Sequence, residues 1–542
     1  MNVVHTSRGP RLMSTPRHAP AGTQTPAVVP GAGRQDPPAR PEDSPGRAPV
    51  PVAGADRLAP SAAQVARLRR VAAGDEDADL VVRGGLVVVV HDQTMLERDI
   101  LVVGRYIAAV TKPGALGGRR SLDAEGRHVL PAYVEVGLRI EDTLLGPGEL
   151  ARLLVPQGTG TLLADPTAFV AFGGPTGVEF ATGSMTPLRV LTRADGASER
   201  ADGEIRTVTE LAARGHLDHE AHRGVERAAS SLEEVGRRTL GPARRYGLDH
   251  VLGSLTPTRL ADLQVVSDLA AAVPPDVVMV GGRIAAESGR PLFDNLDPVP
   301  DWAIGRIRLP ENLHAGSFPC PVPDSAGPGQ DGSVAAVSIA RVGDGAVGNG
   351  ALGGGPAGVA PVGIQAFGAG MLGAGALGAT AEPSPAARHG LRIARLVPTA
   401  RGGLPVADPS RDLQKVAVFG RPQDAVPVEV GLVRGCGLVR GALGFTTAQA
   451  PGQLIVIGAS DDDMLTAARA VEGMGGGFVV VDQGWVRAAC PLPLLGLMSD
   501  APWEAVLGEL AAVDAAAADL GCRLPLPLRT LAGFGCLLHT RP

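Results

Sequence analysis

Apolar residues crowd the run Val129–Ile140, and a Gly/Pro turn follows at Gly146–Gly148. Glu149–Val155 then has the spacing of a short helix, and Gly158–Ala164 is again a continuous apolar run. Strand, helix, strand is the unit that opens a parallel α/β barrel, and the rest of the chain is organised around it. Upstream, Asp79–Val110 alternates in short β runs, separated by Gly84-Gly85, by His91–Thr94 and by Gly104-Arg105. That pattern predicts a small antiparallel sheet. Before it, Ser61–Ala73 predicts an amphipathic helix, with Ser61 as N-cap and Val65, Leu68 and Val71 at helical spacing. Far downstream, Leu454–Ile457 predicts a strand, Asp461 to about Glu472 a helix, Gly473–Gly477 its stop, and Phe478–Asp482 the next strand. Pro491–Met498 follows as an apolar floor, which makes residues 389–542 an α+β domain.

Between these patterned segments the periodicity disappears. Residues 1–60 are rich in Pro, Ala, Gly and Arg, with almost no large apolar side chains. Such a segment cannot bury enough surface to offset its ordering entropy and is expected to be disordered. Residues 301–388 form a Pro/Gly-rich connector, Pro-rich from Asp301 to Pro323 and carrying 14 Gly in the 36 residues 343–378.

Composition bounds the rest. A chain of 542 residues holds two or three domains, and 44% hydrophobic residues suffice for sizeable cores. A net charge of −6 with 3% aromatic residues argues against a nucleic-acid partner. Five scattered Cys (Cys320, Cys436, Cys490, Cys522 and Cys536) without CxxC spacing read as reduced thiols. The absence of an apolar leader and of any membrane-length run leads to the expectation of a cytoplasmic protein with no membrane partner.

The central run also carries a resemblance. Pro131–Asp142, PAYVEVGLRIED, resembles the PGFIDAHVHIES segment of the amidohydrolase superfamily. VPQGTGTLLADP, ending at Pro166, narrows it to the adenine deaminases, which read LPHGTTTVIADPHE here. The entry strands from Asp79 and the return Arg238–Ile284 are similar to the family's paired segments, so Ala261–Val266 and Val277–Val280 are expected to complete one composite sheet. Its parts are 79–130 and 249–290. Gln414–Asp500 is similar to the family's C-terminal domain almost without interruption, in KVAVFGR, GLVRGCGLVRGALG and LIVIGASDDDMLTAARAVEGMGGGFVVVDQG. The implied fold is α/β: a truncated amidohydrolase-type (β/α) barrel over 131–248, the composite sheet, and the C-terminal α+β domain. A full eight-stranded barrel needs roughly 250 residues, and 200 at least, whereas Pro131–Leu248 supplies 118.

The resemblance implies conversion of adenine and water to hypoxanthine and ammonia by a divalent metal (Mn, Fe or Zn) and its bound hydroxide. In the family the two His of HVH bind metal. Here those positions are Gly137 and Arg139, the later family His is Gln157, and the His-Glu after ADP is Thr167-Ala168. Glycine supplies no ligand, and a guanidinium repels a cation. The remaining candidates are weaker. His216, His219 and His222, with Asp218 and Glu220, have helical metal spacing but also read as a solvated helix start. Asp195, in LTRAD, lies where the resemblance puts the acid ending the last barrel strand. Glu141 and Asp165 read as hydrogen-bond partners at strand ends, and Glu179 falls on a helix. Asp461–Asp463 reads as a helix N-terminus, and Gly473–Gly477 as a helix stop, since a phosphate loop would open a helix. The family's AHDSHN loop is Ala448–Gln453, without the His-Asp pair.

Two readings follow. One is a non-catalytic paralogue that keeps the frame for assembly or for binding a purine base. The other is a divergent, active metal-dependent deaminase using the remnant His and Asp residues. A half-barrel leaves a bare strand edge, so a homo-oligomer, or coverage by the C-terminal domain, is expected.

Overall fold

The alternating run after Asp79 folds as β1 (Leu80–Val89), β2 (Thr94–Val103) and β3 (Tyr106–Thr111), an antiparallel meander. A computed structural model describes residues 52–193, 232–269, 273–305, 307–319, 334–338, 392–396, 400–401, 404–405, 407–420, 428–447, 452–524 and 527–532. β1 breaks register at Gly85, where a side chain would collide with Val129 at 2.4 Å. β4 (Ser121–Asp123) and β5 (His128–Pro131) both run parallel to β1. The chain returns about 130 residues later with β9 (Leu263–Val266), β10 (Val277–Val280), β11 (Arg283–Glu287) and β12 (Arg290–Pro291). β9 pairs antiparallel with β5, giving the order β12-β11-β10-β9-β5-β1-β2-β3. The composite sheet expected from the sequence is therefore present.

The apolar run Val129–Ile140 is two strands, not one. β5 stops at Pro131, and β6 (Tyr133–Leu138) belongs to a different sheet. The switch takes one residue: the Ala132 amide donates to Asp262 O (3.0 Å), and the Tyr133 amide donates to Gly158 O (2.8 Å). An unbroken apolar run cannot report such a switch, because each half is buried in its own sheet.

β6 pairs parallel with β7 (Thr159–Ala164) through α2 (Pro147–Leu154), the helix expected over 149–155. α3 (Thr167–Thr182), kinked at Gly174-Pro175, leads to β8 (Arg189–Thr192), parallel to β7. Both faces of this three-stranded layer are covered. Leu138, Leu162 and Val190 enter one core with the C-terminal domain. Val134, Leu163 and Leu191 enter a second with Leu68 and Val71 of α1 (Ala62–Ala73). After residue 231 the chain returns in α4 (Leu232–Arg238) and α5 (Leu240–Arg245), which pack on β6. The Arg238 guanidinium lies 3.6 Å from the Tyr133 ring centroid and donates to Glu135 at 3.3 Å.

The edge of β8 that has no strand partner among the described residues is partly covered by a segment expected to be tail. Val52 bridges Arg193, and the Ala53 amide donates to Thr192 O at 3.0 Å. Leu58 is buried and Tyr106 Oη donates to its carbonyl, so 52–60 belongs to the folded part. The N-cap of α1 is as expected: Ser61 Oγ accepts from the Gln64 amide in a capping box.

The C-terminal sheet comprises β13 (Val334–Ser338), β14 (Arg392–Leu396), β17 (Leu413–Phe419), β18 (Val428–Arg434), β19 (Ala442–Thr446), β20 (Leu454–Gly458), β21 (Gly477–Asp482) and β22 (Trp485–Pro491), with a separate small hairpin of β15 (Ala400–Arg401) and β16 (Leu404–Pro405). Its order is β14-β13-β18-β17-β20-β19-β21-β22, and α6 (Asp461–Gly473) and α7 (Trp503–Asp519) pack against it. α8 (Pro527–Ala532) follows. Ser460 caps α6 through the Asp463 amide. The connector does not stand apart from this domain: β13 lies within it, and Ile307, Leu313 and Phe318 are buried in the core beneath α6. Among the described residues no helix is long and apolar enough to cross a membrane.

Candidate functional site

A parallel layer presents its chemistry at the carboxyl ends of its strands, here the ends of β6 and β7. β6 ends in a bulge, where register shifts between Val136 and Leu138 and Gly137 takes φ +71°. A side chain at 137 would be held in the left-handed region, so the backbone itself disfavours histidine there.

Arg139 follows at the start of a 3-10 turn, Ile140–Thr143. Its guanidinium donates to Glu141 Oε1 from Nη2 (2.7 Å) and Nε (2.9 Å), and Nε lies 3.8 Å from Asp142. Glu141 is fully buried, and its Oε2 has no hydrogen-bond partner. Asp165, at the end of β7, accepts from the Thr167 amide (2.9 Å) and hydroxyl (2.6 Å). The cluster is therefore one guanidinium set among three carboxylates.

Its electrostatics follow from burial. Desolvation pushes the Glu141 carboxyl up to about 7, against the opposing pull of Arg139. Asp142 is also raised, by burial first, with Arg139 acting against it. For Arg139 burial acts downward, but Glu141, Asp142 and Asp165 together hold it above the ordinary arginine value. In the Glu141–Arg139 pair, burial governs the acid because one of its oxygens has no donor at all.

The C-terminal domain closes over this end. The Ser499 amide donates to Leu144 O (2.8 Å), and the Gly146 amide donates to Ser499 O (3.1 Å). Leu494, Leu495, Leu497 and Met498 share a core with Ile140, Leu144 and Leu145. Glu149 Oε2 accepts from the Trp503 amide at 3.2 Å, joining α2 to α7. The apolar floor expected at 491–498 is the roof of the β6 end.

The residues present do not fit a divalent metal. Gly137 has no donor, Arg139 is a cation, and Asp165 is occupied by Thr167. Among the described residues no group of three His, Cys, Asp or Glu could hold a metal ion. Asp195, His216, His219 and His222 lie outside the described residues, as do Gln449 and Ala450. The strand that leads to Asp195, β8, is separated from β6 by β7. Glu179 lies on α3, as its spacing predicts. Asp142 is the member of the cluster that sequence reading missed, although it directly follows Glu141.

Sequence comparison places the chain. The adenine deaminase C-terminal domain model matches residues 392–539. The adenine deaminase of Desulforamulus reducens is 22% identical over 601 residues, covering 87% of this chain and 94% of that protein. That of Moorella thermoacetica is 32% identical over 324 residues, covering 59% of this chain but 46% of that protein. That of Oleidesulfovibrio alaskensis is 50% identical over 137 residues, covering 25% of this chain and 24% of that protein. The chain is thus similar to adenine deaminases, with residues 392–539 matching their C-terminal domain and with Gly137 and Arg139 where the resemblance expects metal-binding His.

Proposed function

We propose that this chain is a non-catalytic paralogue of the adenine deaminases. It keeps the family's frame for assembly with further copies or for holding a purine base, without turnover. The observation that carries this reading is the Arg139–Glu141 ion pair at the end of β6. A permanent cation already pairs with one Glu141 oxygen there, so a divalent metal would have to displace it against charge repulsion. The left-handed Gly137 and the apolar cover from 494–498 point the same way. The remnant acid and His residues, Asp195, His216, His219 and His222, are assigned no role in catalysis.

The test is elemental analysis of the purified, folded protein together with ammonia release from adenine on the same sample. The expected result is neither stoichiometric metal nor ammonia, with the fold verified by circular dichroism. Stoichiometric metal with turnover overturns the proposal. Loss of both in His216→Ala/His219→Ala/His222→Ala would then locate the metal.

A further inference from the structure

A cleft lies about the composite sheet, lined by none of the residues at the β6 end. It encloses about 620 Å³ between the β2–β3 turn, the loop before β4 and the β10–β11 turn. Arg105, Arg119, Arg120 and Arg283 line it together with Gln64 and Asp79. Four guanidiniums about one cleft stand out in a chain whose net charge is −6.

The cations differ in what they already do. Arg105 is tied into the fold, donating from Nε to Tyr106 Oη (2.9 Å) and from Nη2 to Arg57 O (2.7 Å). Arg119 lies 4.0 Å from Asp79. Arg120 and Arg283 are exposed, and their side chains have no partner among the described residues. The single acid does not neutralise them. Asp79 is held by Arg67, which donates to both its oxygens at 2.7 and 3.2 Å, and it accepts from the Gly104 amide at 2.8 Å. The turns bearing Arg105 and Arg283 approach closely: a side chain at Gly282 (φ +73°) would strike Gly104 O at 2.0 Å.

We propose that this cleft binds a phosphate-bearing small molecule of mononucleotide size. Guanidinium forks match phosphate oxygens two at a time, and Arg120 and Arg283 bring two unengaged forks to one cleft from separate segments of the chain. The volume falls within the range of small-molecule sites and leaves room beyond a phosphate for a sugar and base. The cleft is distinct from the β6 cluster, so its occupancy does not depend on the metal question.

The experiment is isothermal titration of the full chain with inorganic phosphate and with adenosine 5′-monophosphate, at 50 and 200 mM NaCl. Saturable binding, weakened severalfold by the higher salt, is expected. Arg120→Ala/Arg283→Ala is expected to lose at least tenfold in affinity for both probes. Because neither side chain has a partner, ligand-free thermal stability should not change. Arg120→Lys/Arg283→Lys keeps the charge and should recover part of the affinity. Tighter binding of the monophosphate assigns a nucleotide-type ligand, and equal binding assigns free phosphate. Absence of saturable binding by the unmodified protein overturns the proposal. So does an equal loss in Arg487→Ala, an exposed arginine on β22, which would mean an adventitious ion only.

Discussion

Replacing Arg139 with methionine removes the cation and keeps most of the side-chain volume. The consequence depends on the protonation of Glu141. In the folded chain this carboxyl is pushed up to about 7, against an ordinary value of 4.5. A raised carboxyl means that the folded state holds a proton the unfolded state has released. Its contribution to stability is therefore complete below 4.5 and is lost as pH rises through 7. Over that span the loss is roughly 3 kcal/mol, at about 1.36 kcal/mol per pH unit. Above 7 the unmodified protein stops losing stability from this group, since Glu141 ionises against Arg139. In Arg139→Met nothing balances the buried charge, so the acid must stay protonated and the loss continues. At pH 5.5 both proteins carry a neutral Glu141, and the variant should be weaker by about 1 kcal/mol, the worth of the lost hydrogen bonds. At pH 8.5 the gap should widen by roughly 2 kcal/mol, to a total of about 3 kcal/mol. Urea unfolding followed by circular dichroism at the two pH values measures both gaps. A gap that is constant, or that narrows toward alkaline pH, would refute the assignment of burial as the force governing Glu141.

Further outcomes follow from other sites. Gly137→His/Arg139→His restores the family's residue types but should remain metal-free by elemental analysis, because residue 137 has φ +71° and its strain costs about 1–2 kcal/mol. Thr446→Val should cost about 2 kcal/mol in urea unfolding, because the buried hydroxyl donates to Gly496 O and accepts from the Gly477 amide. Lys415→Met should lower the unfolding midpoint measurably, since the buried ammonium group bonds both Asp461 oxygens at 2.8 Å and Phe318 O at 2.9 Å. Cys436 and Cys522, 3.8 Å apart and buried, should resist alkylation in the native protein and label only after unfolding, as read by mass spectrometry of each peptide. For Cys436, the neighbouring Cys522 thiol and burial both push its own thiol up, away from the reactive thiolate.

What the sequence disclosed depended on the range of the interaction. Ser460 and Ser61 could be identified as caps because a cap acts within three residues. The strand at Ala261–Val266 could be joined to β5 only through family resemblance, since that partner lies more than 100 residues away, whereas Val277–Val280 pairs with its near neighbours β9 and β11. The break at Ala132 was invisible, because both halves of the run are equally apolar and only the pairing partners change. Val334–Ser338 is short and flanked by Gly-rich sequence, so its place in the C-terminal sheet had no local signal. At the candidate site, Gly137 and Arg139 were legible as departures from a motif. The roof supplied by residues 494–499 was not, because a covering contact between distant loops leaves no periodic trace.

The one-residue switch at Ala132 bears on how such a chain can change length over evolutionary time. The parallel layer leaves the composite sheet at Pro131 and returns at Leu263, and these residues are paired neighbours across β5 and β9. The frame fixes that separation whatever lies between. Deleting or adding a strand–helix pair therefore alters a closed loop whose ends stay clamped, and each doubling of loop length changes the closure cost by only about 0.6 kcal/mol. The composite sheet can persist as an anchoring scaffold while the insert it carries is pruned.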